Sequence, residues 1–265
     1  MLRNRTWAIL VGLGALLNTV PVYPYLFPNA VFNPSTSFAN EPPAASFRVL
    51  LANVQASNDQ AEGLVEIIDT SSPDVIAIVE YNDQWGQRLA ALEANYPHRV
   101  VVPDEGNFGI AVLSRWPIAV TQVIDIAGTA AIDVEIDREG HTFAFLATHL
   151  VPPISAAMAA QRQRQLAVLT QRILADRNPL IVVGDFNLSP FSPYFSKFIA
   201  DTKLKDALRG NGPAITWPTF FPLLGIPIDH CLVSAHFSVE KYYRAGNYGS
   251  DHFPVIVDLV ENLLE

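Results

Sequence analysis

Short apolar runs rich in β-branched residues recur along this chain, and most of them stop on a side chain that carries an oxygen or an imidazole. Asn53 closes RVLLAN, Glu80 closes DVIAIVE, His149 closes FAFLATH, Asp185 and Asn187 follow LIVVG, Asp229 follows GIPI, and Asp251 and His252 precede FPVIVDL. Runs this short, apolar at successive positions, read as strands buried on both faces. An unpaired carboxylate at the end of a buried strand is costly to desolvate. Strand ends of a packed α/β domain gather at a common rim, so these groups are expected to converge on one site.

The rest of the pattern supports that architecture. Ala61, Leu64, Val65 and Ile68 lie at helical spacing within 59–69, and Pro73 ends that helix before the next strand. A second helix is expected over about 84–93. HRVVV follows, and then FGIAVLSR, IAVTQVID, AIDVEID and TFAFLATHL read as four strands in an antiparallel meander, broken at Trp116-Pro117, Gly128 and Gly140. The longest helix is expected over 154–175, ahead of PLIVVGD, and PIDHCLVS, FSVEKYYR and HFPVIVDLV supply the last strands. The fold class is α/β, with two packed, mostly antiparallel sheets covered by helices.

The chain opens with Arg3 and Arg5 and then an apolar stretch from Trp7 to Phe27. That length suffices to cross a bilayer at about 1.5 Å per residue and exceeds the usual core of a signal peptide. Residues 1–27 are therefore expected to be a retained transmembrane anchor, a cleaved signal segment being the alternative. The two arginines would keep the amino terminus cytoplasmic and place the domain outside. Residues 28–46, rich in Pro, Asn, Ser and Ala, read as a linker, and 47–265 as the folded domain. The net charge is −9, and the chain beyond residue 46 carries −10. Such a body has no general grip on a polyanion, which disfavours a nucleic-acid partner. One cysteine, Cys231, excludes an internal disulfide.

Asn53, Glu80, Asp185, Asn187 and Asp251 offer oxygen ligands, the preference of a hard cation such as Mg²⁺, with Mn²⁺ as the alternative. His149 and His252 add groups that change charge near neutral pH. A cation, acids and histidines together fit hydrolysis at phosphorus. A zinc site is disfavoured by the lone cysteine and scattered histidines. Each residue also has a structural reading: Asp185 and Asn187 as turn formers, Glu80 as a solvated strand end, His149 and His252 as satisfied core histidines. His98, His141, His230 and His236 are read as structural. Gly184 is expected to let the backbone turn, Asn187 to follow Asp185 on the same side with period two, and Phe186 to pack away from them. TWPTFFPLLGIP, before Asp229, is expected either to pack in the core, to rim the pocket or to touch a membrane.

Taken in order, LLAN, PDVIAIVE, GIAVLSRWPI, ATHL, VVGDFNLSP, PIDHCLVS and GSDHFPVIVDL resemble the endonuclease/exonuclease/phosphatase superfamily, or deoxyribonuclease I-like fold. The resemblance implies a four-layered α/β sandwich. It implies that Asn53, Glu80 and Asp251 form the metal-binding group, that Asp185 orients or deprotonates the attacking water, and that Asn187 contacts phosphate or metal. It further implies that His252, oriented by Asp229, contacts the phosphate and that His149 stabilises the transition state or protonates the leaving oxygen. ALLNTVPVYPYLFP running into FRVLLANVQASN is similar to a bacterial membrane-attached subgroup. Two departures disfavour DNA as substrate. No clear match exists for the tyrosine that nuclease members place near the phosphate, Tyr81 and Tyr96 being the nearest, and TAAIDVEID lacks the basic residue many relatives carry. The expected function is a Mg²⁺-dependent phosphoesterase acting on phosphodiesters or phosphomonoesters outside the cytoplasm. The alternative is a membrane-tethered interaction or structural subunit that keeps the fold without essential catalysis.

Overall fold

A computed structural model of the chain describes residues 19, 22–25, 46–175 and 179–262. The expected membrane segment and linker thus lie almost wholly outside the described residues. Among the described residues no helix is long and apolar enough to cross a membrane.

Two six-stranded sheets face each other. One contains, in spatial order, β11 (Phe237–Arg244), β12 (Val255–Glu261), β1 (Ser46–Asn53), β2 (Val75–Val79), β4 (Ile110–Ser114) and β3 (His98–Val102). The other contains β5 (Ile118–Asp125), β6 (Ala130–Arg138), β7 (His141–His149), β8 (Leu180–Asp185), β10 (Asp229–Val233) and the short β9 (Lys205–Asp206). Helices α1 (Ala61–Ser71) and α2 (Asp83–Arg88) cover the first sheet, and α3 (Ala156–Ala175) and α4 (Pro193–Thr202) the second.

Three apolar layers result, and they explain why the strands are apolar at consecutive positions. Val49, Leu51, Ala77 and Val79 point between the sheets to meet Val134, Phe145 and Val183. Their chain neighbours Leu50, Ala52, Ile76 and Ile78 point outward onto Leu64, Ile68 and Trp85. Leu146 and Val182 likewise meet Leu169 and Phe195 behind the second sheet. The four-layered arrangement agrees with the expected sandwich. The meander is shorter than expected: β5, β6 and β7 are antiparallel neighbours, but β4 pairs with β2 and β3 in the other sheet. Both faces of β4 are buried, which a strand sandwiched between a helix layer and the opposing sheet requires.

Each sheet holds one parallel pair, β1 with β2 and β7 with β8. Parallel neighbours need a long crossover connection, supplied by α1 and α3. Parallel pairing brings the carboxyl ends of both strands to one rim. β10 runs antiparallel to β8 and β12 antiparallel to β1, so their amino ends arrive at that rim too.

Leu51, almost fully buried between the sheets, and Val123, 52% exposed on edge strand β5, provide a contrast. Leu51→Ala should lower the unfolding free energy by about 2–5 kcal/mol, and Val123→Ala should change it by no more than about 0.5 kcal/mol. Urea denaturation followed by circular dichroism checks both values.

Candidate active site

Asp185 is the last residue of β8, and strand register decides its neighbours. It lies opposite His149 of β7 and opposite Asp229 of β10. Three titratable side chains therefore stand in one row across three strands, all buried. His252, just before β12, closes the group from the other sheet: its Nδ1 lies 2.8 Å from Asp229 Oδ2 and its Nε2 3.7 Å from Asp185 Oδ2. His149 Nε2 is 3.5 Å from the same Asp185 oxygen.

Asn53, at the end of β1, joins the two sheets. Its Nδ2 donates to Glu80 Oε1 and to Asp185 Oδ2, each at 3.1 Å. Its Oδ1 accepts from the backbone N–H of Gln55 at 3.0 Å, so this amide presents its nitrogen to the carboxylates. Glu80 Oε2 accepts from Ala56 N–H at 3.0 Å. The Asp251 carboxylate, near enough for its charge to act on Glu80 and His252, accepts from Trp217 Nε1 at 3.1 Å, while its backbone N–H donates to Gln55 Oε1.

The turn chemistry beside Asp185 differs from the sequence expectation. Gly184 stays within β8, paired with Thr148 and His230. It is required by close approach: a Cβ there would stand 1.9 Å from the Thr148 carbonyl oxygen. The turn comes at Asn187, whose φ is +48° and whose N–H donates to Asp185 Oδ1 at 2.7 Å. The turn-forming reading of these residues and their place in the site thus hold together. Asn187 Nδ2 donates to the Leu150 carbonyl at 2.9 Å and lies 3.4 Å from His149 Nε2, and Arg162 of α3 donates to the Asn187 carbonyl. Glu80 has a φ of +61°. Left-handed backbone at two residues other than glycine is strain that the surroundings must hold. Phe186 points away as expected, fully buried against Phe195, Phe198 and His230.

Burial and neighbouring charge set the protonation states. Burial, reinforced by the Asp229 charge, raises the Asp185 carboxyl to about 7. Burial alone would lower His252, but Asp229 and Asp185 outweigh it and lift the imidazole to about 10. Burial and the facing His252 lower His149 to about 4. His149 is therefore neutral and its approach to Asp185 is a polar contact, whereas His252 is an imidazolium with a carboxylate on each ring nitrogen. Burial also raises Glu80.

This is a donor set for a hard divalent cation. One ligand atom each from Asp185, Asp229 and His252 lie within 4.8 Å of one another, the two carboxylates being the donors that remain while His252 is protonated. Asp229 Oδ1 is buried without a hydrogen-bond partner among the described residues. Glu80 adds a carboxylate that shares the Asn53 amide with Asp185, and Cys231 is buried inside β10.

Several supporting residues were not legible beforehand. Tyr248 Oη and Ser250 Oγ both donate to the Asn53 carbonyl, at 2.6 and 2.7 Å, and Ser250 Oγ accepts from His252 N–H. Thr216 Oγ1 accepts from the N–H groups of Ile228 and Asp229. The Phe108 ring packs 5.2 Å from that of His149. The nearness of Tyr248 and Ser250 to Asp251 and His252 in sequence was the only signal for any of them. Tyr96 is remote from the site, its hydroxyl donating to the Pro73 carbonyl. His230 is a buried structural histidine, bonded to the Leu188 carbonyl and near Asp206. TWPTFFPLLGIP is not core: Phe220 and Leu223 are 78% and 86% exposed.

Comparison with known proteins agrees with this geometry. The sequence matches the model of the Endonuclease/Exonuclease/phosphatase family over residues 50–252. It is 29% identical over 213 residues to the uncharacterized protein YbhP of Escherichia coli K12, covering 72% of this chain and 74% of that one. An endonuclease/exonuclease/phosphatase from Beutenbergia cavernae superposes with a TM-score of 0.70 at 23% identity, over 82% of this chain and 72% of the other. D. rerio TDP2 in complex with a single-strand DNA product superposes with a TM-score of 0.67 at 19% identity, over 81% and 99% of the two chains. The two superpositions establish likeness of fold.

Gly184→Ala should destabilise the protein by about 3 kcal/mol or more, because the added methyl meets backbone that two strand pairings hold in place. Thermal unfolding of the variant measures this, and an unchanged midpoint would contradict the close approach of Thr148.

Proposed function

The chain belongs to the endonuclease/exonuclease/phosphatase family, and from that premise we propose that it is a Mg²⁺-dependent phosphoesterase that hydrolyses phosphodiester or phosphomonoester bonds. The observation that carries this reading is the buried row of His149, Asp185 and Asp229, closed by His252 and joined to Glu80 through Asn53. Family members are metal-dependent enzymes acting on phosphoester bonds, and the core set of Asn53, Glu80, His149, Asp185, Asn187, Asp229, Asp251 and His252 is present in the sequence.

In this reading Asp185 takes the proton of the attacking water. A carboxylate raised toward neutrality is a competent base at neutral pH, and its Oδ1 is held by the Asn187 N–H. The water oxygen bonds to phosphorus as the ester P–O bond breaks, and the departing oxygen is protonated from solvent. His252, kept charged and oriented by Asp229, binds the phosphate oxygens. His149, kept neutral, contributes a hydrogen bond. Glu80 and Asp251 would hold a divalent cation, which would supply charge neutralisation on the phosphate.

The reading assigns the domain to the outside of the cytoplasm, tethered by the apolar stretch that begins at Trp7, on the strength of that sequence and of Arg3 and Arg5. DNA, the product bound to D. rerio TDP2, is a poor candidate substrate here, since the body carries a charge of −10 and polyanion affinity rests on Lys and Arg.

Asp185→Asn and His252→Ala should each lower Mg²⁺-dependent hydrolysis of bis(p-nitrophenyl) phosphate by at least about 10³-fold with circular dichroism unchanged. Chelation with EDTA should abolish wild-type turnover and added Mg²⁺ should restore it. Wild-type rates in either variant would sink the assignment.

A further inference from the structure

The loops that leave the site's strand ends differ from the rest of the chain in charge. Residues 150–161, 186–196 and 210–228, which follow His149, follow Asp185 and precede Asp229, contain no Asp, Glu, Lys or Arg. The remaining loops at the rim, 54–60, 80–84, 103–109 and 245–254, carry acids and no Lys or Arg. None of the 17 basic residues lies within these segments, although Arg88, Arg162 and Arg244 contact Asn58, Asn187 and Phe253 from outside them.

The uncharged loops also present apolar side chains to solvent. Ile154, Phe220, Leu223 and Leu224 are 78–86% exposed, and Phe191 and Phe221 are partly so. The 210–228 loop is not loosely draped. Ile226 and Trp217 form a β-bridge at its base, Thr219 N–H and Oγ1 donate to the Asp251 and Ser250 carbonyls, and Trp217 Nε1 holds the Asp251 carboxylate. A hydrogen-bonded base therefore holds a Phe-Phe-Pro-Leu-Leu tip away from the protein, beside His252. An exposed apolar patch of this kind marks a contact surface.

We propose that the tip at 220–224, with Ile154 and Phe191, docks on a zwitterionic phospholipid bilayer and sets the site against lipid phosphate esters. The substrate class named here rests on the phosphoesterase reading; the docking surface does not. With Arg88, Arg162 and Arg244 at their margins and no Lys or Arg within them, the exposed loops themselves offer little grip on nucleic acid or anionic lipid. Insertion then depends on aromatic and leucine side chains, which partition into a bilayer interface. The position of the amino-terminal apolar stretch points to the same occupant. Its residues 22–25 lie against the two loops in question: Gly210 N–H donates to the Pro24 carbonyl at 2.8 Å, and the Tyr25 ring meets Phe191 edge-on at 5.7 Å. A bilayer that received the apolar residues ahead of Val22 would lie next to these loops.

Leu223→Cys in the full chain, labelled with an environment-sensitive fluorophore, tests the docking directly, because native Cys231 is buried. On phosphatidylcholine vesicles its emission should shift to the blue and be quenched by brominated acyl chains, while a label at Val123→Cys, on the exposed edge strand β5, stays unchanged. Docking is overturned if the Leu223→Cys label stays in water on vesicles that carry the chain. It is equally overturned if that label is shielded without vesicles, which would mean the chain itself or a second copy covers the tip. In a second arm, Leu223→Ser/Leu224→Ser should lower hydrolysis of vesicle phospholipid by at least about tenfold and leave bis(p-nitrophenyl) phosphate turnover within about twofold. An equal fall on both esters contradicts the surface role. A wild-type chain that hydrolyses neither ester overturns the phosphoesterase reading, and the label then decides docking alone.

Discussion

Asp185 is a carboxylate buried at a seam between two sheets, and the arrangement around it exists to make that burial tolerable. An isolated buried carboxylate is too costly to keep ionised. Here it has Asn53 from the first sheet, the Asn187 N–H from its own turn, and an imidazolium facing it. That imidazolium stays charged because Asp229, one strand away, shares it. Remove any partner and the others lose the reason for their protonation states.

The same constraint accounts for the irregular backbone. Glu80 and Asn187 adopt left-handed φ values on either side of Asp185, and Gly184 exists because Thr148 comes too close for any side chain. Arg162 holds the turn at Asn187 through its carbonyl, and Tyr248 and Ser250 hold the end of β1 through the Asn53 carbonyl. Strained backbone at Glu80 and Asn187, held by its surroundings, is what a preorganised site requires. The uncharged loops project from the rim of that site, so approach to the site is governed by apolar side chains and by acids.

Much of this was legible in the sequence because strand ends are conspicuous when apolar runs stop on Asn53, Glu80, His149 and Asp185. Period and length sufficed for two sheets with helices outside them. The exchange of β4 into the other sheet was not legible, since an apolar run carries no mark of which neighbour it pairs with. Gly184 was read as a turn former because φ freedom is the usual reason for glycine, whereas close approach depends on a strand distant in sequence. Tyr248, Thr216 and Trp217 carry no mark of these roles in the sequence, because the roles arise from hydrogen bonds to backbone and carboxylates that only the fold brings near. TWPTFFPLLGIP has a core-like composition, and its exposure follows from the tertiary hydrogen bonds at its base.

Whether the acid cluster holds a divalent cation is the claim on which the enzymatic account turns, and isothermal titration of Mn²⁺ into the purified protein tests it most directly. Saturable binding in the wild type that is lost in Glu80→Gln, with circular dichroism unchanged, is the expected result. Absence of binding to the wild type, or identical binding to Glu80→Gln, would contradict it.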